Sequence, residues 1–551
     1  MPTTKIVTVA EMKAIEAAAD QVGVSFGMMM DAAGNAVAEN ILARISQPAE
    51  HKVVVLAGSG KNGGDGLVVA HRLAEAGASV GVYCTQPPDD TDLKVQRLRA
   101  KGLLVVDADN DHRWRVLKNL LGGVTVLVDA VFGTGARLPI TGRPADMLKQ
   151  VHHHLDERTG AAPLIVAVDC PSGLDCDTGA LDVLALMADL TVTLGAAKRG
   201  HYAFPGAEAV GELVVADIGI DPTLPELANV ALELATHEVV QALLPARPRD
   251  AHKGTFGRAL VVAGSLNYTG AAYLSAAAAC RVGVGLVTLA VPSPIYPMLA
   301  VQLPEATWVL LPHEMGVITA QAADLIRKEF PKTQALLVGP GFGVEKETAA
   351  FVRRWLGVEE PAGVRRGGLG FTPTSTPEAE AGQANAAMPP VVVDADGLKL
   401  LAAVEGWAQR LPRESVLTPH PGEMAMLTGL DKDTIQADRI GAARKYAAEW
   451  GQVVVLKGAF TLVAAPDGRV TLLPFATAAL AHAGTGDVLA GAIVGLLAQG
   501  LDPYHAAVVG AYLHGVAGVQ AAQLLGSTAS VMASDVLDGL IEAMALVSDP
   551  A

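Results

Sequence analysis

The residues with the clearest capacity for chemistry form a glycine-rich turn, 483–487, at the start of a long apolar run. The turn reads Ala-Gly-Thr-Gly-Asp, and the run that follows it, 488–498, carries no charge. The N–H groups of such a turn and the positive end of the following helix dipole attract an anion such as a phosphate. Asp487 falls in the first turn of the predicted helix. Its carboxylate therefore either handles a proton or a metal ion beside that anion, or merely complements the helix dipole.

Three aspartates in the first half stand at or after predicted buried strands. Asp65 lies in a glycine-rich stretch after the first of these strands, whereas Asp129 and Asp169 stand at the ends of two later ones. Ligands bind at the carboxyl ends of the strands in an open parallel sheet, so we expect these side chains to face one ligand. Two carboxylates at neighbouring strand ends suit general acid and base chemistry, although capping and turn formation also explain aspartates there.

Two α/β patterns supply the elements that position these residues. Apolar strands alternate with helix patterns in each half, which predicts a doubly wound parallel sheet in each. The proline-dotted stretch 221–249 separates the halves and predicts domains of residues 1–230 and 231–551. Segment 359–390 is rich in Gly, Pro, Ala, Ser and Thr and lacks apolar periodicity, so we expect a disordered surface insertion without a chemical role. In the first half the predicted strands are 53–57, 80–84, 124–130, 164–169 and 190–194; in the second they are 259–263, 286–291, 335–338, 391–394, 416–417 and 453–457.

The composition excludes several classes of function. The net charge of −16 disfavours nucleic-acid binding, so an anionic ligand must be held by local dipoles. No uninterrupted apolar run reaches the ~18 residues of a membrane-spanning helix, and the N-terminal residues do not form an export signal. The 4 cysteines show neither a metal-ligand spacing nor a disulfide framework. We therefore expect a cytoplasmic protein with no membrane partner.

Seven stretches of the second half resemble, in order, the sequence blocks of NAD(P)H-hydrate dehydratases, which belong to the ribokinase-like superfamily. The resemblance spans most of 250–545 and implies a ribokinase-like three-layer α/β sandwich. The stretches are KGTFGRALVVAGS (253–265), YTGAAYLSAAAACRVGVGLVTLAVP (268–292), GPGFG (339–343), DADGLKLL (394–401), LTPHPGEMAML (417–427), LKGAFT (456–461) and AGTGDVLAGAIVGLLAQG (483–500).

This resemblance implies that ADP, or ATP, with Mg²⁺ phosphorylates the C6 hydroxyl of hydrated NAD(P)H, after which phosphate leaves; the fused architecture favours ADP. Asp487 is implied as the general base that takes the hydroxyl proton. The implied nucleotide contacts are Lys457, Gly458, Ala459, Phe460, Thr461, Gly484, Thr485 and Gly486. The implied hydrate contacts are Ala271, Gly341, Gly343, His420 and Asp487.

Four stretches of the first half resemble NAD(P)H-hydrate epimerases, which interconvert the R and S hydrates and have a Rossmann-like three-layer sandwich. They are GSGKNGGDGLVVAHRL (58–73), VDAVFGTGARLPITG (128–142), VDCPSGLDCDTG (168–179) and TLGAAKRG (193–200). The resemblance implies K⁺ on Asn62, Asp129 and Ser172, with Asp129 and Asp169 as the acid and base in an unassigned order. The implied substrate contacts are Lys61, Asn62, Gly63, Gly64, Asp65, Gly133, Thr134, Gly135, Ala136, Arg137, Leu138, Pro139 and Asp169.

The two halves in this order resemble bacterial bifunctional repair enzymes. The resemblance implies NADHX, NADPHX (the two hydrates) and ADP as substrates, and a homo-oligomer as the assembly. Two other functions stay open: a vitamin or sugar kinase fused to a Rossmann-like domain, and a first half that only binds a ligand. A stable phosphorylated product distinguishes the first of these, and absence of epimerisation by the first half distinguishes the second.

Two departures from the family pattern carry expectations. Lys61 stands where the family usually has Asn, and it either adds a phosphate contact or projects into solvent. Ala483 stands where the family has the first glycine of a pair, after an altered stretch at 475–482. If position 483 requires a positive φ, alanine costs about 1 kcal/mol and slows or alters dehydration.

Overall fold

The computed structural model describes residues 4–358 and 387–548. The chain divides into two compact units, Pro2–Leu232 and Glu233–Ala551. Most of the predicted insertion at 359–390 lies outside the described residues. Only 387–390 are described, as irregular chain before a strand.

The N-terminal unit alternates strands and helices along most of its length. Its elements are β1 Thr4–Val7, α1 Val9–Gln21, α2 Phe26–Leu42, β2 Lys52–Ala57, α3 Lys61–Glu75, β3 Ser79–Cys84, α4 Leu93–Ala100, β4 Leu104–Asp107, α5 Arg115–Leu121, β5 Val126–Ala130, α6 Gly142–Asp156, β6 Leu164–Val168, β7 Leu190–Leu194, β8 Ala197–Lys198, β9 Glu212–Ala216 and α7 Pro225–Ala228, with β10 Leu232–Leu234 at the boundary.

The sheet of this unit has the strand order β4-β3-β2-β5-β6-β7-β9, and every pair in it is parallel. Alternate residues of β2 enter cores on opposite faces: Val53 and Val55 pack with α2, α3 and α4, while Val54 and Leu56 pack with α5 and α6. A strand buried on both faces is continuously apolar, which is the pattern that the sequence shows. The carboxyl ends of β2, β5 and β6 lie side by side at the centre of the sheet.

The C-terminal unit repeats the α/β alternation with longer helices at its end. Its elements are α8 His237–Leu243, β11 Arg258–Val262, α9 Thr269–Arg281, β12 Leu286–Pro292, α10 Tyr296–Gln302, β13 Thr307–Leu311, β14 His313–Glu314, β15 Val317–Ile318, α11 Ala322–Glu329, β16 Ala335–Val338, α12 Lys346–Trp355, β17 Val391–Val393, α13 Asp396–Ala402, β18 Val416–Leu417, α14 Pro421–Thr428, α15 Lys432–Ala437, α16 Arg439–Trp450, β19 Val453–Leu456, β20 Leu462–Ala464, β21 Val470–Leu472, α17 Thr485–Ala498, α18 Pro503–Leu525 and α19 Ala533–Ser548.

Within this unit the sheet runs β13-β12-β11-β16-β17-β18-β19-β20-β21, parallel as far as β19 and antiparallel beyond it. Helices α9, α17, α18 and α19 cover one face, and α11, α12 and α13 cover the other. Helix α17 packs directly on α9, where Gly491 faces the backbone of Ser275 so closely that a Cβ would lie 2.1 Å from its carbonyl oxygen. This contact fixes the axis of α17 and thereby the position of the glycine-rich turn at its start.

Helix α18 is long and apolar enough to cross a membrane, by length and composition only. However, 61% of its most apolar window is buried inside the structure, as in the central helix of a globular core. The described part of the chain contains no other helix of that length and hydropathy.

Candidate active sites

The glycine-rich turn predicted to bind an anion forms the start of α17. Gly484 is the N-cap residue and has φ 90°, a conformation that favours glycine. The Thr485 hydroxyl lies 2.9 Å from the carbonyl oxygens of Leu480 and His482, and Nε2 of the buried His514 lies 2.9 Å from the Thr485 carbonyl. Burial lowers the pKa of His514 to about 4, so the ring is neutral and donates this hydrogen bond. Hydrogen bonds to the hydroxyl and the carbonyl of Thr485 therefore hold the turn from both sides. The first N–H groups of α17 have no hydrogen-bond partner within the helix.

Ala483 does not have the positive φ under which alanine was expected to be strained. Positive φ occurs at Gly484 and not at Ala483. The conformation that requires glycine is thus supplied by a glycine, and the expected cost of alanine at 483 does not arise.

Asp487 points into an acidic cluster, formed by Asp394, Asp396 and Glu423, that Lys457 and Lys399 partly neutralise. Burial raises the pKa of Asp487 to about 7, the negative charge of Asp394 adds to the rise, and Lys457 opposes it. Lys457 Nζ lies 2.7 Å from Asp394 Oδ1 and 3.8 Å from Glu423 Oε2. A Cβ on Gly486 would lie 3.4 Å from Lys457 Nζ, so this ammonium reaches the glycine-rich turn. A carboxyl with a pKa near 7 is suited to accept a proton at neutral pH.

Asp394 and Asp396 follow strand β17 and were not among the predicted site residues. The Thr418 hydroxyl donates to Asp394 Oδ1 at 2.7 Å, and Asp396 accepts hydrogen bonds from Gly343 N at 2.9 Å and Lys399 Nζ at 2.8 Å. The intervening Ala395 has φ 52°, which turns the two acids away from the strand direction. Asp129 was predicted because it is an acidic residue at the end of a predicted strand. Asp394 ends the predicted strand 391–394 and could have been predicted in the same way.

His420, a predicted hydrate contact, caps helix α14 at the edge of the same cluster. Its Nδ1 accepts from Gly422 N at 3.0 Å and from Glu423 N at 3.3 Å, and its Nε2 lies 3.3 Å from Glu423 Oε1. Burial and the positive charge of Lys457 lower the pKa of His420. The ring is therefore neutral at pH 7, and its side chain remains 53% exposed to a ligand.

The other predicted hydrate contacts are Ala271, Gly341 and Gly343. Gly341 has φ 64°, and a Cβ there would lie 2.8 Å from the Cβ of Ala271 and 2.9 Å from that of Tyr268. Gly343 donates to Asp396 as described above. The structure thus brings Ala271, Gly341 and Gly343 together with the acidic residues.

The predicted nucleotide loop, 457–461, is held by an arginine that sequence reasoning missed. Arg439 donates to the carbonyl oxygens of Leu456 at 3.2 Å and Lys457 at 3.3 Å, and its other terminal nitrogen donates to that of Ala459 at 2.5 Å. Burial lowers the pKa of its guanidinium group. The arginine opens helix α16, and the sequence gives no sign that it would reach a loop about 20 residues away.

In the N-terminal unit, a cavity of about 490 Å³ opens at the carboxyl ends of β2, β5 and β6. The predicted contacts that line it are Lys61, Asn62, Asp65, Gly133, Thr134, Gly135 and Asp169. The predicted contacts that do not line it are Gly63, Gly64, Ala136, Arg137, Leu138 and Pro139, and neither Asp129 nor Ser172 does. Gly63 acts indirectly, because a Cβ there would lie 1.8 Å from the carbonyl oxygen of Gly58 and push the first turn of α3 away from the loop that precedes it.

Asp169 enters this cavity from the end of β6 with a left-handed backbone, φ 65°. Its Oδ1 accepts from Thr193 Oγ1 and from Leu194 N, both at 3.1 Å, and also from Lys198 Nζ. Burial alone would raise the pKa of Asp169, but the ammonium of Lys198 holds it below its usual range. Lys198 is 1% exposed and its own pKa is raised by Asp169 despite burial. Lys198 lies in the epimerase-like stretch 193–200, but no role was predicted for it.

Asp65 lines the same cavity and shows the opposite behaviour. Burial, together with the negative charge of Asp169, raises its pKa well above the ordinary value. The cavity therefore combines one carboxyl group whose surroundings favour the charged form with one whose surroundings favour the protonated form. Such a separation of pKa values is a usual sign of acid and base roles.

Asp129 and Ser172, predicted to hold a cation with Asn62, lie behind the cavity wall. Asp129 is 0% exposed and accepts from Ser172 Oγ at 2.5 Å and from Ser172 N at 2.8 Å. Burial raises the pKa of Asp129, and within residues 4–358 and 387–548 it has no ion-pair partner. The amide nitrogen of Asn62 is buried without a hydrogen-bond partner.

Lys61 lies at the cavity mouth. Its ammonium is 3.2 Å from Glu16 Oε2 and 4.0 Å from the centre of the Phe26 ring, and the side chain is 67% exposed. Both predicted alternatives for this residue are therefore compatible with its position, since an exposed ammonium that lines the cavity can also contact a bound phosphate.

One unit has two carboxyl groups in a strand-end cavity, and the other has a glycine-rich helix start beside an acidic cluster. These features are those of an α/β enzyme with two sites. Family models described as "YjeF-related protein N-terminus" and "NAD(P)H-hydrate dehydratase" match residues 27–200 and residues 259–371 and 364–542, respectively. The bifunctional NAD(P)H-hydrate repair enzyme Nnr of Moorella thermoacetica is 37% identical over 545 residues, 97% of this chain and 96% of that protein. That of Thermofilum pendens is 34% identical over 528 residues, 95% of this chain and 93% of that protein.

The chain belongs to the family of bifunctional NAD(P)H-hydrate repair enzymes. Among solved structures, the ADP/ATP-dependent NAD(P)H-hydrate dehydratase of Bacillus subtilis, co-crystallised with ATP and Mg²⁺, is 32% identical, with a TM-score of 0.45. It matches 57% of this chain and 98% of its own. The predicted α/β class, with two parallel-sheet domains, is confirmed, and so is the predicted family of each half.

Proposed function

We propose that this chain repairs hydrated nicotinamide nucleotides in two steps on its two units. The N-terminal unit interconverts the R and S hydrates of NADH and NADPH, and the C-terminal unit dehydrates the S form at the expense of ADP. The observation that carries the proposal is Asp487, whose pKa is raised to about 7 by burial at the start of an anion-binding helix.

In the C-terminal unit, Asp487 takes the proton of the C6 hydroxyl group. The hydroxyl oxygen attacks the terminal phosphorus of ADP, and AMP leaves. The N–H groups at the start of α17 and the Lys457 ammonium stabilise charge on the transferring phosphoryl group. Hydroxide is a poor leaving group, whereas phosphate leaves readily with the C6–O bonding electrons. Loss of a proton from C5 then restores the double bond. His420, Ala271, Gly341 and Gly343 are proposed to bind the hydrate.

The acidic cluster fits Mg²⁺ held mainly through the nucleotide. Asp394 and Glu423 offer the oxygen ligands that Mg²⁺ prefers, but one ammonium already neutralises part of their charge. Among the residues that the structure describes, no group of three His, Cys, Asp or Glu side chains is arranged to hold a metal ion. Bound there with the diphosphate, Mg²⁺ would supply positive charge to the phosphate oxygens.

In the N-terminal unit, Asp65 and Asp169 are proposed to move the protons of epimerisation. C6 of the hydrate bears both a hydroxyl group and the ring nitrogen, so removing the hydroxyl proton and protonating the nitrogen opens the ring to an aldehyde. Reclosure on the opposite face inverts C6. Asp169 is the ionised group that takes the proton, and Asp65 is the protonated group that donates one. The role predicted for Asp129 in this chemistry is less favoured, because its carboxylate does not reach the cavity.

Asp129 instead fits the proposed K⁺ site. Its carboxylate is fully buried without an ion-pair partner in the described chain, and Ser172 Oγ is within hydrogen-bond distance of it. The unpartnered amide of Asn62 can present its oxygen in place of its nitrogen, because the two orientations differ only by a flip. Oxygen ligands of this kind suit a hard cation, which would offset the buried charge.

The test is incubation of the full chain with mixed hydrate epimers and Mg²⁺, with ADP or ATP, while the absorbance of reduced nicotinamide is recorded. If the chain repairs the hydrates, the absorbance of reduced nicotinamide should return completely. When ADP is supplied, one AMP should form for each ADP consumed. A stable phosphorylated product from a vitamin or sugar, without return of the absorbance, would favour the small-molecule kinase instead. The family resemblance further supports a homo-oligomer in the cytoplasm, which size-exclusion chromatography with light scattering and cell fractionation test separately.

A further inference from the structure

Two of the four cysteines meet inside the N-terminal unit, outside the residues that the proposed mechanism uses. The Sγ atoms of Cys170 and Cys176 are 2.7 Å apart, and both residues are buried. This separation exceeds the ~2.05 Å of a disulfide bond by less than ~1 Å. Neither cysteine lines the cavity, so their proximity has no explanation in substrate binding.

The backbone holds the two cysteines at this separation from both ends. Cys170 N donates to Val168 O at 2.8 Å, and Gly200 N donates to Cys176 O at 2.7 Å. Between them, Leu174 N donates to Pro171 O at 3.0 Å and closes a turn. The two sulfur atoms can therefore bond after small side-chain rotations, without a rearrangement of the loop.

A histidine completes the group. His201 Nδ1 accepts from Lys198 N at 3.2 Å, and its Nε2 lies 3.3 Å from Cys170 Sγ. Burial lowers the pKa of His201 to about 3, so the ring is neutral. Because Nδ1 is the acceptor, Nε2 carries the proton and donates it to Cys170 Sγ. The Cys170 thiol in turn is left to donate toward Cys176.

We propose that Cys170 and Cys176 form an oxidisable dithiol that a hydroperoxide converts to an intramolecular disulfide bracing loop 170–176. That loop carries Ser172, whose N–H and hydroxyl groups both bind Asp129. The disulfide therefore stabilises the wall behind the cavity. In a reducing compartment the dithiol is the resting form, and the disulfide appears on exposure to peroxide. This inference is independent of the proposed function.

The chemistry balances with one equivalent of peroxide. The more exposed of the two thiols is Cys176, which is 3% exposed. Its sulfur attacks a peroxide oxygen and its proton goes to the departing hydroxide, which gives a sulfenic acid and water. Cys170 Sγ then attacks the Cys176 sulfur, and its proton leaves with the displaced hydroxide as a second water. Two thiols lose two electrons, and hydrogen peroxide gains them.

The epimerisation rate is expected to change by less than about two-fold on oxidation, because Thr193, Leu194 and Lys198 hold the Asp169 carboxylate from outside the loop. The unfolding midpoint of the N-terminal unit is expected to rise, since the closed loop restricts the unfolded chain. Cys84 and Cys280 provide internal controls, because both are free and neither lies beside another cysteine.

The experiment treats the full chain with hydrogen peroxide, unfolds it without reductant, alkylates it and digests it with trypsin. Both cysteines fall in one peptide, 159–198. We expect this peptide to carry no alkyl groups and to be about 2 Da lighter than the reduced, unalkylated peptide. After reduction with dithiothreitol and renewed alkylation it should carry two alkyl groups. Cys176→Ser should abolish both the mass decrease and the rise in unfolding midpoint, whereas Cys280→Ser should abolish neither. Two alkyl groups on the peroxide-treated peptide, or separately oxidised sulfurs, would overturn the proposal.

Discussion

At the scale of single residues, the two proposed sites depend on carboxyl groups whose protonation is set by burial and by one neighbouring charge. Lys457 and Lys198 each lie beside a buried aspartate, yet the consequences differ. Lys457 is shared among several acids, so Asp487 keeps a pKa of about 7. Lys198 is committed to Asp169 and holds that carboxylate in its charged form. A proton can therefore be accepted in one unit and exchanged between two carboxyl groups in the other.

Asp487→Asn should lower the rate of dehydration by about 10²–10⁴-fold, because a general base contributes that much to a reaction. In the wild type the rate should fall as the pH drops through about 7, since only the ionised carboxylate accepts the hydroxyl proton. Initial rates with ADP over a pH series measure both effects.

Asp538→Asn is the matched control for Asp487→Asn, because this carboxylate is 72% exposed on α19 and pairs with the surface residue Arg281. An unchanged pH profile in Asp487→Asn, with the rate still falling near 7, would assign the titration to another group. Nucleotide binding measured by calorimetry should persist in the variant.

Asp65→Asn should stabilise the N-terminal unit at pH 8 while lowering epimerisation by about 10²-fold or more. The pKa of Asp65 is raised in the folded chain, so its folded form binds a proton more tightly than its unfolded form. Stability is therefore lost as the pH rises from the unfolded pKa toward the raised folded one. Asparagine cannot ionise and removes that loss. Thermal unfolding should show a larger gain for the variant at pH 8 than at pH 5, because the loss grows as the pH rises above the unfolded pKa. An equal shift at both would contradict the assignment.

At the scale of elements, the sequence predicted the buried strands in the middle of each sheet, because continuous apolar runs are typical of strands buried on both faces. It did not predict strands nearer the sheet edges, such as β4, β9 and β13. Strands 190–194, 335–338 and 416–417 match the structure at both ends. The left-handed backbones of Asp169 and Ala395 could not be predicted, since neither residue is glycine and the strain is fixed by surrounding contacts. Arg439 was missed because its role depends on the packing of α16 against the nucleotide loop, not on local sequence.

Gly484→Ala and Ala483→Gly form a paired test of the glycine-rich turn. At Gly484, φ is 90° and a Cβ would lie 2.8 Å from Leu274 Cδ1, so alanine should cost about 1–3 kcal/mol of stability and most of the dehydration rate. At 483, where φ is not positive, glycine should give no gain in activity and should cost about 0.5–1 kcal/mol through the unfolded chain. Chemical denaturation and initial rates separate the two. A faster Ala483→Gly enzyme would show that the alanine does restrict the site.

At the scale of the whole molecule, each unit contains its own sheet, core and site, and the family joins the two activities in one chain. Epimerisation supplies the S hydrate that dehydration consumes, so the second reaction draws the first to completion. Nothing in this coupling requires an intermediate to pass directly between the sites. Free diffusion of the hydrate is sufficient, because both reactions act on the same C6 carbon of a released molecule.

Mixed R and S hydrates offered to the full-length Asp65→Asn chain should therefore give a biphasic return of reduced nicotinamide. The first phase should proceed at the wild-type rate and end at the fraction initially present as the S form, because Asp487 and its neighbours are unaltered. The second should proceed at the residual epimerisation rate. Adding Asp487→Asn, whose epimerase site is intact, should restore a single phase that runs to completion, since R hydrate released into solution is then converted by the added chain. Failure of this mixture to complete the reaction, with each variant folded by circular dichroism, would show that the hydrate must be handed over within one chain.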